Sequence, residues 1–150
     1  MQAEAPGRIL SLYVRPSQAT PVREVERCLV EQGQGLAGDH AGAGRREVTL
    51  VDEPSWRAAC AELGVEVPPG SRRANVFVGG MRLAPAIGRR LRVGPTLLEV
   101  LGELHPCELM DRAQPGLHAA LRPEGRGGVH CRVLEGGEIA VGDEVRVEDA

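Results

Sequence analysis

The chain has 150 residues, 42% of them hydrophobic and 26% charged, and a formal net charge of -3 at pH 7. That balance suits one compact domain over residues 1–150 and excludes a disordered polar chain, while the acidic sum weighs against a nucleic-acid partner, whose phosphates call for a basic surface. All 18 basic residues are arginine, which excludes chemistry through a lysine of this chain, whether a Schiff base, a pyridoxal phosphate anchor or a phosphate-loop ammonium.

Twenty glycines and eleven prolines divide the sequence into short β-prone runs. This punctuation predicts a mainly β fold with one or two short helices. Arg8–Val14 reads as a first strand and Val25–Val30 as a weaker second. A long glycine-rich loop, Gly33 to Arg46, then precedes a strand over Glu47–Val51. The main helix follows: Asp52 or Glu53 caps it, Pro54 sits in its first turn, and Trp56, Ala59, Cys60 and Leu63 share a core-facing side before Gly64. Strands over Asn75–Val78, Arg89–Val93 and Thr96–Val100, the last two joined at Gly94-Pro95, read as a meander. Gly116–Leu121 reads as a short helix stopped by Pro123, and Gly125–Gly128 as a flexible loop. Strands over Val129–Leu134, Ile139–Val141 and Val145–Val147 close the chain. Spacing this tight favours closure into a β-barrel, which leaves no sticky edge.

No apolar run approaches the roughly 20 residues that cross a bilayer, and the opening MQAEAPGR lacks the basic-then-apolar order of a secretory signal. The expectation is a cytoplasmic protein with no membrane partner, whose four separated cysteines, Cys28, Cys60, Cys107 and Cys131, are reduced thiols.

Among these, Cys107 stands out because it follows Pro106 in a kinked, polar stretch that points to exposure. A thiol becomes a nucleophile or a soft metal ligand when positive charge stabilises its thiolate. Arg112 is near in sequence, and Arg72, Arg73 and Arg126 can approach through folding. The Arg72–Asn75 segment sets two guanidinium forks and an amide before a strand, a grip for phosphate or carboxylate. Adjacent residues of an extended chain point different ways, so at most one of the two arginines faces a pocket. In Gly125-Arg126-Gly127-Gly128, glycines let backbone N–H groups approach an anion. His40 is a candidate proton carrier, unless Gly38-Asp39-His40 is an ordinary turn with Asp39 bonded to its own backbone. Each also has a plain structural reading: a small buried thiol, solvated arginines, a common turn. A zinc site from His105, Cys107, His130 and Cys131 is disfavoured, because their spacings match no paired-ligand knuckle. Neither a G-x-S-x-G elbow nor an H-E-x-x-H motif is present.

Taken in order, Gly35–His40, Arg46, Val48–Leu50, Arg73-Ala74-Asn75, Pro106-Cys107, Arg126–Gly128 and Gly142–Val145 resemble a MOSC domain, the module named for the C-terminal part of molybdenum-cofactor sulfurases. The resemblance implies a closed β-barrel similar to the pyruvate-kinase barrel domain. It implies binding of the molybdenum-pterin cofactor, sulfur carriage, or both. In that reading Cys107 is the functional cysteine, holding a persulfide or ligating molybdenum. Arg73, Asn75, Arg126 and Gly127 hold the cofactor's phosphate or pterin, with His40 near the entrance. The pyridoxal-phosphate desulfurase domain of the full sulfurases is not among the matched segments, so a separate cysteine desulfurase is the implied donor and a molybdoenzyme the implied acceptor. The N-terminal domain of larger relatives is likewise unmatched, which leaves the pocket less enclosed. The rival expectation is a non-catalytic barrel that binds an anionic ligand or a protein partner. A reductase of N-hydroxylated compounds ranks below carriage.

Overall fold

The computed structural model describes residues 5–18, 20–40 and 46–149. Within them the β-prone runs form β1 (Gly7–Val14), β2 (Arg23–Val25), β3 (Arg27–Glu31), β4 (Gly35–Leu36) and β5 (Val48–Asp52). After α1 (Glu53–Leu63) come β6 (Val76–Gly79), β7 (Arg90–Val93) and β8 (Thr96–Glu103). The helices α2 (Met110–Ala113) and α3 (Leu117–Leu121) precede β9 (Val129–Glu135), β10 (Gly137–Ala140) and β11 (Glu144–Val147).

Seven strands close a barrel in the order β1-β11-β7-β8-β9-β5-β6 and back to β1. The ring shuts where Gly7 pairs with Val145 and Arg8 with Glu144. Farther along β1, Leu12–Val14 pair instead with β2. β10, β3 and β4 make a separate three-stranded sheet. Alternation fills the barrel with branched aliphatic side chains: on β9, Val129, Cys131 and Val133 are buried among Val48, Leu50, Leu91 and Leu98, while Arg132 is exposed. An interior of this width suits aliphatic residues, and the chain's one Tyr, one Trp and one Phe all lie elsewhere. Tyr13, Trp56 and Phe77 join Val51, Met110, Leu117 and Leu121 in a second core.

Helix α1 forms as its end signals dictate. Asp52 Oδ1 accepts from the Ser55 N–H at 2.8 Å, a proline occupies the first turn, and Gly64 ends the helix in the left-handed conformation. The second Asp52 oxygen accepts from the Leu83 N–H at 3.2 Å, which ties the helix start to the segment after β6. β5 and β6 run parallel. A parallel pair needs a crossover, and α1 supplies it. Trp56 Nε1 donates to the Val67 carbonyl at 2.7 Å and fixes the return toward β6. No described helix is long and apolar enough to cross a membrane.

Three expectations change. The strand beginning near Asn75 is not part of a meander with its two successors: β6 lies between β5 and β1, and the antiparallel run is β7-β8-β9. The physical reason is visible in β6 itself, buried at all four residues as a strand covered on both faces must be. The run Val25–Val30 breaks at Glu26 into β2 and β3, which join different sheets. The loop Gly33 to Arg46 contains β4, and its residues 41–45 lie outside the described residues. Among the described residues the helices are few and short, α2 being a single turn beside α1 and α3.

Candidate functional site

Cys107 stands between β8 and α2 and is exposed, whereas Cys28 and Cys60 are half-buried and Cys131 is buried. Its loop is shaped by three contacts. The Leu104 N–H donates to the Gly128 carbonyl at 2.8 Å, and the Met110 N–H donates to the Cys107 carbonyl at 3.0 Å. Gly127 lies so close beneath that a Cβ there would stand 2.4 Å from the Leu104 oxygen and 2.9 Å from Pro106 Cδ.

Under this loop runs Arg72, 7% exposed. Its Nε donates to the Gly127 carbonyl at 2.9 Å and its Nη2 to the Leu104 carbonyl at 2.9 Å. Nη1 lies 3.8 Å from Met110 Sδ. The guanidinium therefore touches the residues three before and three after Cys107. None of these partners is a carboxylate. Burial pushes Arg72 down to about 10; the Cys107 thiol opposes that shift, and the like charges of Arg46 and Arg15 add to it. Arg72 thus stays charged at neutral pH. A buried cation without a carboxylate partner is costly unless an anion comes to it.

A second network positions the neighbouring loop. Asn75 is wholly buried. Its Oδ1 accepts from the Thr49 N–H at 3.0 Å and the Thr49 hydroxyl at 3.1 Å. Its Nδ2 donates to the Tyr13 carbonyl at 3.1 Å and to Asp39 Oδ1 at 3.2 Å. Asp39 also accepts from Arg15, from the backbone N–H at 2.7 Å, Nε at 3.0 Å and Nη2 at 2.8 Å. Burial works to raise the Asp39 carboxyl, but the Arg15 hydrogen bonds outweigh it and leave it below its ordinary value. The ordinary-turn reading of Asp39 is therefore corrected, since its carboxylate bonds Arg15 and Asn75 rather than its own backbone. The His40 N–H donates to the Arg15 carbonyl at 2.8 Å, and His40 Nδ1 lies 3.1 Å from the same oxygen.

Comparison with known proteins adds the family. The model of the MOSC domain family matches residues 37–146. The chain belongs to the MOSC family. The fold of this MOSC domain is similar to that of the YuaD protein from Bacillus subtilis, with a TM-score of 0.82 and 24% identity over 97% of each chain. It is also similar to YiiM from Geobacillus stearothermophilus, with a TM-score of 0.76, 18% identity and coverage of 96% of this chain and 76% of that one. YiiM from Escherichia coli follows, with a TM-score of 0.70, 16% identity and coverage of 97% and 69%. At these identities the likeness shows the fold alone. No curated protein matches the sequence.

In this MOSC domain the two adjacent arginines diverge. Arg73 takes a left-handed backbone conformation at the end of the 3-10 turn Pro69–Arg72. Its Nη1 donates to the Thr20 carbonyl at 2.7 Å and its Nη2 to the Ser17 carbonyl at 3.0 Å. Arg126 bonds Glu62 of α1 and the Ala120 carbonyl of α3, while its buried Nε has no hydrogen-bond partner among the described residues. The guanidinium beside the Cys107 loop is that of Arg72. No group of three or more His, Cys, Asp or Glu able to hold a metal ion forms among the described residues, so the zinc arrangement does not assemble. The Arg15–Asp39 pair escaped sequence reasoning, because 24 residues separate its members and no short motif joins them.

Two grooves meet at Pro68, of about 850 and 450 Å³, and neither is lined by Cys107. Cys107 therefore stands outside both grooves, exposed to reagents. In native protein, iodoacetamide is expected to label Cys107 first and Cys131 only after unfolding. Timed peptide mass mapping checks this order, and earlier labelling of Cys28 or Cys60 would contradict it. Burial raises the thiols of both Cys28 and Cys131 above their ordinary value, which slows them further.

Proposed function

We propose that this MOSC domain carries sulfur as a persulfide on Cys107, binds the molybdenum-pterin cofactor through the same thiolate, or does both, in the cytoplasm. The supporting observation is an exposed thiol centred on a loop whose flanks clamp a buried guanidinium that has no carboxylate partner among the described residues.

For sulfur carriage, the Cys107 thiolate attacks the outer sulfur of a donor persulfide. The donor's S–S bond breaks and the donor leaves as a thiolate, so no outside oxidant is needed. The acceptor then attacks the outer sulfur on Cys107 and regenerates the thiolate. The proposed donor is a cysteine desulfurase and the proposed acceptor a molybdoenzyme, since the 150 residues contain no lysine to anchor pyridoxal phosphate themselves.

The residues also fit the molybdenum-pterin cofactor, as a soft sulfur donor stands beside uncompensated guanidinium charge. When bound, that group supplies metal-centred redox chemistry. Cys107 is the proposed ligand and Arg72 the proposed grip on phosphate, with the charges of Arg46 and Arg15 acting on it. Gly127 lets the loop close over Arg72. Asn75 and His40 act through the Arg15–Asp39 network, whereas Arg73 and Arg126 hold flanking elements in place.

The test is to purify the protein from cells that make the cofactor and to measure molybdenum, pterin and cyanide-releasable sulfur. Wild type is expected to carry at least one of the three. Cys107→Ser is expected to lose molybdenum and releasable sulfur while keeping the wild-type melting temperature. If wild type carries none of the three even after loading with a persulfide donor, or if Cys107→Ser retains them, the proposal falls and the barrel is a non-catalytic anion- or partner-binding module.

A further inference from the structure

A thiol must lose its proton before it attacks, and a guanidinium cannot accept one. Among the described residues on the Cys107 loop and beneath it, the groups able to do so are few. Arg72 is a cation already engaged with the Gly127 and Leu104 carbonyls. Asp111 accepts from the His118 N–H at 3.0 Å, and Glu108 is exposed. His130 lies over Gly102 on the barrel wall with its Nδ1 buried. His105 is held in place: its Nδ1 stands 2.9 Å from Oε2 of Glu103, the last residue of β8. A carboxylate only accepts, so in the neutral ring the hydrogen sits on Nδ1 and Nε2 keeps a free lone pair. Pro106 alone separates His105 from Cys107. The residue before a proline is pushed to extended backbone, and two extended steps keep the Cα atoms within about 7 Å. Burial alternates accordingly: Leu104 is buried and Pro106 half-buried, whereas His105 and Cys107 are exposed. Carboxylate, imidazole and thiol thus occupy positions 103, 105 and 107 on the outward side of one stretch.

Resting on the sulfur-carriage reading, we infer that His105 is the proton acceptor for the Cys107 thiol and that Glu103 is its positioning residue. His105 Nε2 takes the proton from Cys107, the thiolate attacks the outer sulfur of a donor hydropersulfide, and the donor's S–S bond breaks. The departing sulfur leaves with the electron pair and takes the proton back from His105. Cys107–SH and R–S–SH thus become Cys107–S–SH and R–SH, with no outside acid, base or oxidant. Glu103 holds the ring in the tautomer that can accept and steadies the imidazolium formed midway.

The experiment loads reduced full-length protein with cysteine hydropersulfide at neutral pH and follows the mass of the Cys107 peptide against time. His105→Ala is expected to load about a hundredfold more slowly, the size of one general base, and to recover most of that loss when imidazole is added to the buffer. The His105 side chain is 77% exposed, so this variant keeps the wild-type melting temperature and leaves an open place for imidazole. Glu103→Gln is expected to slow loading by less, about tenfold, because the base remains but loses its orientation. Glu108→Gln removes a carboxylate one residue from Cys107 and is expected not to slow it. Loading of His105→Ala at the wild-type rate, or a slow rate that imidazole does not restore, overturns this inference and leaves sulfur carriage standing. If wild type itself takes up no sulfur, sulfur carriage and this inference fall together.

Discussion

Asn75→Ala is expected to lower the free energy of unfolding by about 3–5 kcal/mol, read as a shift of the urea midpoint at neutral pH. The loss comes from partners left behind in a dry site. The Thr49 N–H and hydroxyl lose their acceptor, and the Tyr13 carbonyl and Asp39 lose a donor. Each orphaned group costs roughly 1–3 kcal/mol, and the sum falls short of additivity because Arg15 still holds Asp39. A loss under about 1 kcal/mol would show that water replaces the amide. Asn75→Asp sharpens the test by setting a second carboxylate against Asp39. In wild type, Asp39 titrates below its unfolded value, so its contribution is present above that value and is lost as pH falls through the folded one. In Asn75→Asp the like charges repel at neutral pH, and the deficit relative to wild type should shrink on acidification as one carboxylate takes a proton.

Gly127→Ala should strike both fold and chemistry. The added carbon would meet the Leu104 oxygen at 2.4 Å, a backbone atom that cannot swing aside like a flexible side chain. That oxygen is also an acceptor for Arg72, so relief of the clash lifts the Cys107 loop and loosens the cation beneath it. The expected cost is about 2–3 kcal/mol of stability, with a marked fall in sulfur loading. Gly33→Ala is the control: a Cβ there meets nothing within 4 Å, so only its left-handed backbone resists, at about 1 kcal/mol and with no effect on loading. If Gly127→Ala were as mild as the control, the loop would be adaptable and the clamp around Arg72 would not position the thiol.

Helix α1 was legible in the sequence because its signals are local: Asp52 at the cap, Pro54 in the first turn and Gly64 beyond the end. Strand existence was legible for the same reason, since alternation marks it within a few residues. Strand partners were not. The buried run of β6 identifies a strand covered on both faces but names neither β5 nor β1 as its neighbours. At the site, the setting of Cys107 after Pro106 foretold its exposure. That one of two adjacent arginines turns inward was also foreseeable. Which one was not, because the segment coils into a 3-10 turn that ends at a left-handed Arg73 instead of running extended. The Arg15–Asp39–Asn75 network joins three stretches of chain, and only folding brings them together.

Closure of the ring through the first and last strands has a kinetic consequence. Gly7 must find Val145 across nearly the whole chain, so the contact that completes the cylinder carries the largest loop-closure entropy in the molecule. A nascent polypeptide still short of that final strand leaves β1 and β7 with open edges, a state prone to unwanted pairing with other chains. Arg15 follows β1, Arg72 precedes β6 and Cys107 follows β8, so the closed ring also holds together the distant stretches of chain that carry these three residues.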